Sequence, residues 1–351
     1  RHTFFSKKHA PVDDFRSDKG QRKPQSIFKK ETRFRTVERP LLNKKQKRML
    51  SKLSMMHECL GHMPPEMLFR TLAGVVPPDM LQLIKFMPLC KWCEMGNHTK
   101  RKGASELKSS FVHIAGQITL ASDLSGKHVR SDQGYHYFAA FSFCHFDGKK
   151  ITAKLIAVRF LKCKSDLPQA LDAEMNKAEA LHKGCRVAVF TSDNGGEHVN
   201  AEVKTNLENR GTTHRKSAPE CQYQDPAERT IRHIKKQRAI DMVRCGAPNG
   251  EWCYATMRAT KQIVLRYNSS LGMSMYESWY KRKPSLKNEF PYGVVAVCAA
   301  TKAREKPIMG SCLRGFLARV LAHQPGRDNN FIVKDKEGKY WIVNSIKMFP
   351  G

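Results

Sequence analysis

The stretch from Phe190 to Lys236 constrains the fold of this chain more than any other. It reads F-T-S-D-N-G-G-E at one end and D-P-A-E-R-T-I-R-H-I-K-K at the other. The apolar run Val187 to Phe190, following Arg186, reads as a short buried strand. Asp193 then sits at its C-terminal end, where Asn194, Gly195 and Gly196 impose a turn. Asp225, Pro226 and Glu228 have the types of an N-cap, a first-turn proline and an N3 acid, so a helix begins there. Two carboxylates are thereby presented from the ends of rigid elements. A third comes from Q-I-T-L-A-S-D-L-S-G, Gln117 to Gly126, a strand whose apolar residues stop near Asp123. A parallel pairing of the two strands brings Asp123 toward Asp193. Asp123, Asp193 and Glu228 are the candidate catalytic residues.

Three converging carboxylates repel one another unless cations neutralise them, and hard oxygen ligands suit Mg²⁺ or Mn²⁺. Two such ions about 3.5 to 4 Å apart would activate a water or a 3′-hydroxyl and stabilise the leaving oxygen of a phosphodiester. Each acid also has a structural role open to it. Glu228 can complete a capping box with Asp225, Asp193 can close an Asx turn, and Asp123 can simply end a strand. The helix from Pro226 to about Arg244 carries Arg229, Arg232, Lys235, Lys236 and Arg238 before its first further acid, Asp241. Arg232 and Lys235 share the face of Glu228, where they can clamp phosphates beside a metal-held bond or form a solvated basic face.

Charge supports a polyanionic partner. Of the 351 residues, 62 are Lys or Arg against 32 acids, a net charge of +30 and a pI near 9.9. Releasing counterions from phosphates drives binding of such a chain to nucleic acid whatever the sequence. No apolar run reaches the 18 or so residues of a membrane span, and the basic N-terminus has no apolar core of a secretory signal. The eleven Cys are scattered and odd in number, which argues for free thiols inside a cell over a disulfide framework. The chain opens on Arg1, as expected of a fragment or a polyprotein product. Residues 1–50 hold 16 Lys or Arg against five acids and read as a basic, disordered arm. Within it, Lys44 to Arg48 suits a nuclear signal, a phosphate contact or a soluble linker equally.

Residues 51–108 read as a zinc-binding module and its linker. M-H-E-C-L-G-H is followed, after 27 residues, by C-K-W-C. His57 and His62 are five apart, too far round for one helical face, but Gly61 can end the helix and let the loop bring His62 back. With Cys90 and Cys93 they make a closed, tetrahedral, structural Zn²⁺ site. A zinc knuckle beginning Cys90, Cys93, His98 competes, but position 103 is Gly where that motif needs Cys. Without metal, the segment has little core and is expected to unfold.

The core is expected over 109–285, with strands at Gly134–Phe143 and Ile151–Val158, a hairpin turn at Asp147-Gly148, and a helix over Leu167–His182. A helix near Ala201–Asn209, a short strand at Thr212–His214 and a helix over Glu251–Asn268 follow. From about 286 to 351 the pattern turns to short β-like runs, suggesting a small β-barrel.

The D…D…E order, S-D-N-G-G-E, S-A-P at Ser217 to Pro219 and A-E-R at Ala227 to Arg229 resemble the core of a copia-type LTR-retrotransposon integrase, in the retroviral integrase superfamily. The His57, His62, Cys90, Cys93 pattern matches that superfamily's H-H-C-C module. The resemblance runs from about Ser51 to the C-terminus. It implies an α/β fold, an RNase H-like catalytic core with an N-terminal helical zinc module and a small C-terminal DNA-binding domain. It further implies strand transfer of element DNA into a target, one Zn²⁺ and two Mg²⁺ or Mn²⁺, a homo-oligomer, and a nuclear site of action after a cytoplasmic particle stage. Basic residues at Arg229, Arg232, Lys235 and Lys236 fall where the family holds the element's DNA end. Two departures stand out: 34 residues separate Asp193 from Glu228, one fewer than usual, and Gln224-Asp225-Pro226 replaces the family's Asn-Gly before the Glu helix. The competing expectation is a decayed or host-adapted nucleic-acid-binding protein without catalysis.

Overall fold

Apolar alternation builds the central sheet. The structure, a computed structural model, describes residues 42–97, 113–193, 195–216, 226–299, 307–308, 311–312 and 315–349. The basic arm up to residue 41, the Asp225 cap, Asn194, Cys221 and the rival ligand His98 lie outside the described residues. Strands β1 (Gln117–Ser125), β2 (Tyr137–Phe146) and β3 (Ile151–Leu161) form an antiparallel meander with Asp123 opposite Ala140. Phe138, Phe141 and Phe143 are buried, so β2 is covered on both faces. The turn between β2 and β3 is closed by Asp147, whose side chain accepts from the Lys149 and Lys150 amides, with Gly148 at φ +100°.

Helix α5 (Leu167–Leu181) leads to β4 (Val187–Ser192), and α6 (Ala201–Asn209) to β5 (Thr213–Lys216). Both strands run parallel to β1, giving the order β3-β2-β1-β4-β5. Three antiparallel strands followed by two parallel β/α units is the arrangement expected of an RNase H-like sheet. Helix α7 (Pro226–Cys245) packs on β1 and β2, and α8 (Trp252–Leu265) packs on α7 and β3.

The N-terminal segment begins earlier than its charge suggested. Helix α1 (Lys44–Cys59) starts inside the expected arm, because Asn43 and Gln46 form a capping box. With α2 (Pro65–Leu72) and α3 (Pro78–Gln82) it encloses a cluster that includes Leu53, Leu60, Met63, Leu68 and Leu72, while α4 (Lys91–Asn97) packs against α7. Leu265 of α8 completes that cluster, so the segment has more core than expected.

The C-terminal residues form an antiparallel sheet of β8 (Val294–Ala299), β11 (Gly315–Gln324), β12 (Arg327–Asp335), β13 (Tyr340–Val343) and β14 (Ile346–Met348), in the order β13-β12-β11-β8-β14. Among the described residues no pairing joins β13 to β14. The described pairings thus give one five-stranded sheet, and closure into the expected barrel is not among them. Short pairs β6 (Tyr267–Asn268) with β7 (Met273–Ser274), and β9 (Pro307–Ile308) with β10 (Ser311–Cys312), and helix α9 (Met275–Tyr280), complete the described elements.

Candidate functional site

The parallel register of β1 and β4 decides where two of the acids stand. Leu120 pairs with Phe190 and Ala121 with Thr191. Two residues further on, Asp123 and Asp193 leave the same end of adjoining strands. Glu228 lies in the first turn of α7, which crosses β1. Burial first, and then the Asp193 charge, push the Asp123 carboxyl up to about 6, and Glu228 adds to the same effect.

Two of the three side chains nevertheless have other partners as they stand. Asp193 Oδ1 accepts from the Gly195 amide at 3.0 Å, the Asx contact available to it, and lies 3.2 Å from Nδ1 of the buried His198. His198 holds the Asp193 carboxyl below its ordinary range. Glu228 Oε1 accepts from Arg232 at 2.8 Å, while its Oε2 is buried with no hydrogen-bond partner among the described residues. Asp123, Asp193 and Glu228 are not gathered into one ligand set. Their hard oxygens, one buried and orphaned, and the raised Asp123 carboxyl are what a divalent cation would satisfy, so the residues fit Mg²⁺ or Mn²⁺.

Of the basic residues expected on α7, Arg229, Arg232 and Lys236 are exposed and Lys235 is half-buried. Burial and the neighbouring Arg238 push the Lys235 ammonium down, against the pull of Asp123. Sequence reasoning missed His198, which directly follows G-G-E and whose proximity to Asp193 depends on the turn between them.

A second centre is fully assembled. Helix α1 ends at Cys59, Gly61 and His62 take positive φ of 72° and 56°, and the His62 amide donates to the His57 carbonyl at 2.7 Å. This is the reversal that the glycine permits. Cys93 Sγ lies 3.2 Å from His57 Nε2 and 3.7 Å from His62 Nδ1, and Cys90 Sγ lies 3.3 Å from His62 Nδ1. All four ligand atoms fall within 4.8 Å of one another. Around a tetrahedral ion with bonds of about 2.0 to 2.3 Å, ligand atoms sit about 3.3 to 3.8 Å apart. These four side chains are therefore placed so that they could hold one metal ion. His57 Nδ1 lies 3.0 Å from the Met63 carbonyl, which fixes the tautomer that leaves Nε2 for metal. Burial holds His62 neutral, down to about 3, and pushes the Cys93 thiol up to about 12. Among the described residues this is the one such group of three or more side chains.

No protein-family model and no curated protein sequence matches the chain. Among solved structures it is similar to a chain of the simian T-cell lymphotropic virus intasome in complex with PP2A regulatory subunit B56 gamma. That similarity has 13% identity and a TM-score of 0.41, over 86% of this chain and 98% of the other. It is also similar to the HTLV-2 integrase catalytic core domain, solved in complex with magnesium in a trimeric form. Here identity is 14% and the TM-score 0.33, over 47% of this chain and 97% of the other. At these scores the site stands on its own residues.

Proposed function

We propose that this chain is a metal-dependent polynucleotidyl transferase, a copia-type retrotransposon integrase that joins 3′ ends of element DNA to target DNA. The observation that carries the reading is the β1/β4 register, which sends Asp123 and Asp193 out at one sheet end beside the helix bearing Glu228. Asp123, Asp193 and Glu228 would hold two Mg²⁺ or Mn²⁺ ions, which when bound polarise the phosphodiester and activate the attacking oxygen. For this, Asp193 must exchange His198 and the Gly195 amide for metal, a rotation of one side chain at a glycine-rich turn. Arg229, Arg232, Lys235 and Lys236 would hold DNA phosphates along α7, with Arg232 leaving Glu228 for the backbone. His57, His62, Cys90 and Cys93 would hold one structural Zn²⁺, the ion that this donor set favours. The homo-oligomer and the nuclear site of action belong to the same proposal.

The test is joining of a labelled element-end duplex by the purified chain with Mn²⁺. Asp193→Asn is expected to abolish joining while the melting temperature stays within a few degrees of the parent. Joining that survives Asp193→Asn would remove the three-acid mechanism. A rival reading, a nucleic-acid-binding protein without catalysis, is favoured by the engagement of Asp193 with His198. It predicts tight duplex binding with no Mn²⁺-dependent product from the parent chain itself.

A further inference from the structure

Beside Asp123 stand two cations, Lys235 and Arg238, with no ion-pairing carboxylate among the described residues. Arg238, three residues beyond Lys235 on α7, lies with its guanidinium carbon 6.0 Å from the Phe138 ring centre and 5.8 Å from that of Trp252. His128 lies against the same two rings, 5.7 and 4.7 Å between centres, and its Nε2 is 2.7 Å from Oγ of the buried Ser125. The only protein hydrogen bond described for Arg238 is a long one, 3.5 Å, to Thr256 Oγ1. Among the described residues neither Lys235 nor Arg238 has a carboxylate within ion-pairing distance. Asp241, the next acid on α7, is fully buried on the side of Arg244, Arg258 and Arg266. Burial, and then Arg238 and Lys235, push His128 down to about 4. Two half-buried like charges on one helix face, beside an imidazole they repel, are costly without an anion.

We propose that Lys235, Arg238 and His128 form a phosphate subsite, with Ser125 and the Phe138 and Trp252 rings holding its geometry, that takes a nucleic-acid backbone phosphate next to the one reacting at Asp123. It rests on the reading of Asp123 as facing a DNA strand. The aromatic faces restrict the guanidinium, so its free N–H groups are pre-aimed at an acceptor. Lys235 is the member of the subsite on which the charges of both Asp123 and Arg238 act. Compared with the exposed Arg229 and Lys236, Arg238 and Lys235 lose less water on binding and bind one position rather than a diffuse backbone.

The test is anisotropy binding of a labelled element-end duplex to the full-length chain over a salt series. A second arm uses duplexes bearing a single neutral methylphosphonate at successive positions. Arg238→Gln is expected to weaken binding roughly tenfold, the size of one charge-assisted hydrogen bond. Its salt slope is expected to fall by about 0.9, and Arg238→Lys to recover most of that slope. One methylphosphonate position should weaken the parent and leave Arg238→Gln unaffected. Lys235→Gln, whose amine makes no hydrogen bond among the described residues, repeats the comparison without disturbing the aromatic packing. An unchanged slope in both glutamine variants, or equal sensitivity at every methylphosphonate position, would overturn the subsite while leaving DNA binding intact. A parent chain that binds no duplex end overturns the proposed function and the subsite together.

Discussion

Asp123 and Asp193 leave neighbouring strands at one sheet end, yet their surroundings pull them in opposite directions. His198 holds Asp193 ionised, whereas burial and the Asp193 charge raise Asp123 to about 6. A carboxyl raised above its unfolded value of 3.8 binds its proton more tightly in the fold. Its contribution to stability is therefore complete below about pH 4 and is lost as pH rises through about 6. In metal-free protein, Asp123→Asn removes that loss. The variant is expected to melt about 2 to 4 °C above the parent at pH 8, the response of a domain this size to about 1 kcal/mol. The gap should close at pH 4.5, and Mn²⁺ should reverse it by stabilising the parent alone. Melting curves at the two pH values, with chelator and then with Mn²⁺, measure this. A gap that is the same at both pH values would show that neither burial nor the neighbouring carboxylates raise the Asp123 carboxyl.

Among the elements, the turn after α1 carries the most consequence per residue. A Cβ on Gly61 would stand 2.2 Å from Nη2 of Arg266 and 2.6 Å from Oε1 of Gln262, at φ +72°. Arg266 donates through Nε to the Leu60 carbonyl at 2.9 Å and through Nη2 to the Gly61 carbonyl and to Gln237 of α7. Gly61→Ala therefore adds left-handed strain and a collision with a buried guanidinium. A loss on the order of 2 kcal/mol or more is expected, with weaker zinc retention because His62 is the next residue. Urea unfolding and a zinc-release titration check it, and an unchanged midpoint would mean that the turn relaxes freely. The glycine itself was legible as a helix stop, and α6 was read at the bounds it has, Ala201–Asn209, because its apolar period is regular. The strand Ile346–Met348 was not legible, since three residues with a central lysine carry no period. Nor was the Asn43 capping box, which is masked by the basic residues around it. The burial of Arg238, Arg266 and Glu251 was not legible either, because burial of a charge is decided by partners that lie far away in sequence.

For the molecule as a whole, α8 and the turn before it join the parts through buried charge. Arg258, almost fully buried, donates to the Cys59 carbonyl of the N-terminal helical segment at 2.6 Å and to the Phe290 carbonyl, and pairs with Glu289, so one side chain touches all three regions. Arg266 does the same between the N-terminal helical segment and α7. At the other end, Glu251 is fully buried and pairs with Arg319 of β11 and Lys334 of β12, each at 3.2 Å, while the Tyr292 hydroxyl donates to it at 3.3 Å. Glu251→Gln keeps the shape and removes the charge, leaving two cations facing a neutral amide. Removing one partner of a buried pair costs roughly 3 to 5 kcal/mol. The lower end is expected here, because Lys334 keeps Asp132 at 3.1 Å. If the C-terminal sheet is held to the core by this network, Glu251→Gln should also split a single cooperative melt into two. The C-terminal sheet should then become cleavable by protease at temperatures where the core still resists. Asp132→Asn, at the partly exposed rim of the same network, should cost well under half as much. A Glu251→Gln chain that melts in one transition near the parent temperature would mean that apolar packing of Leu321 and Ala322 against the core, and not this charge, joins the two parts.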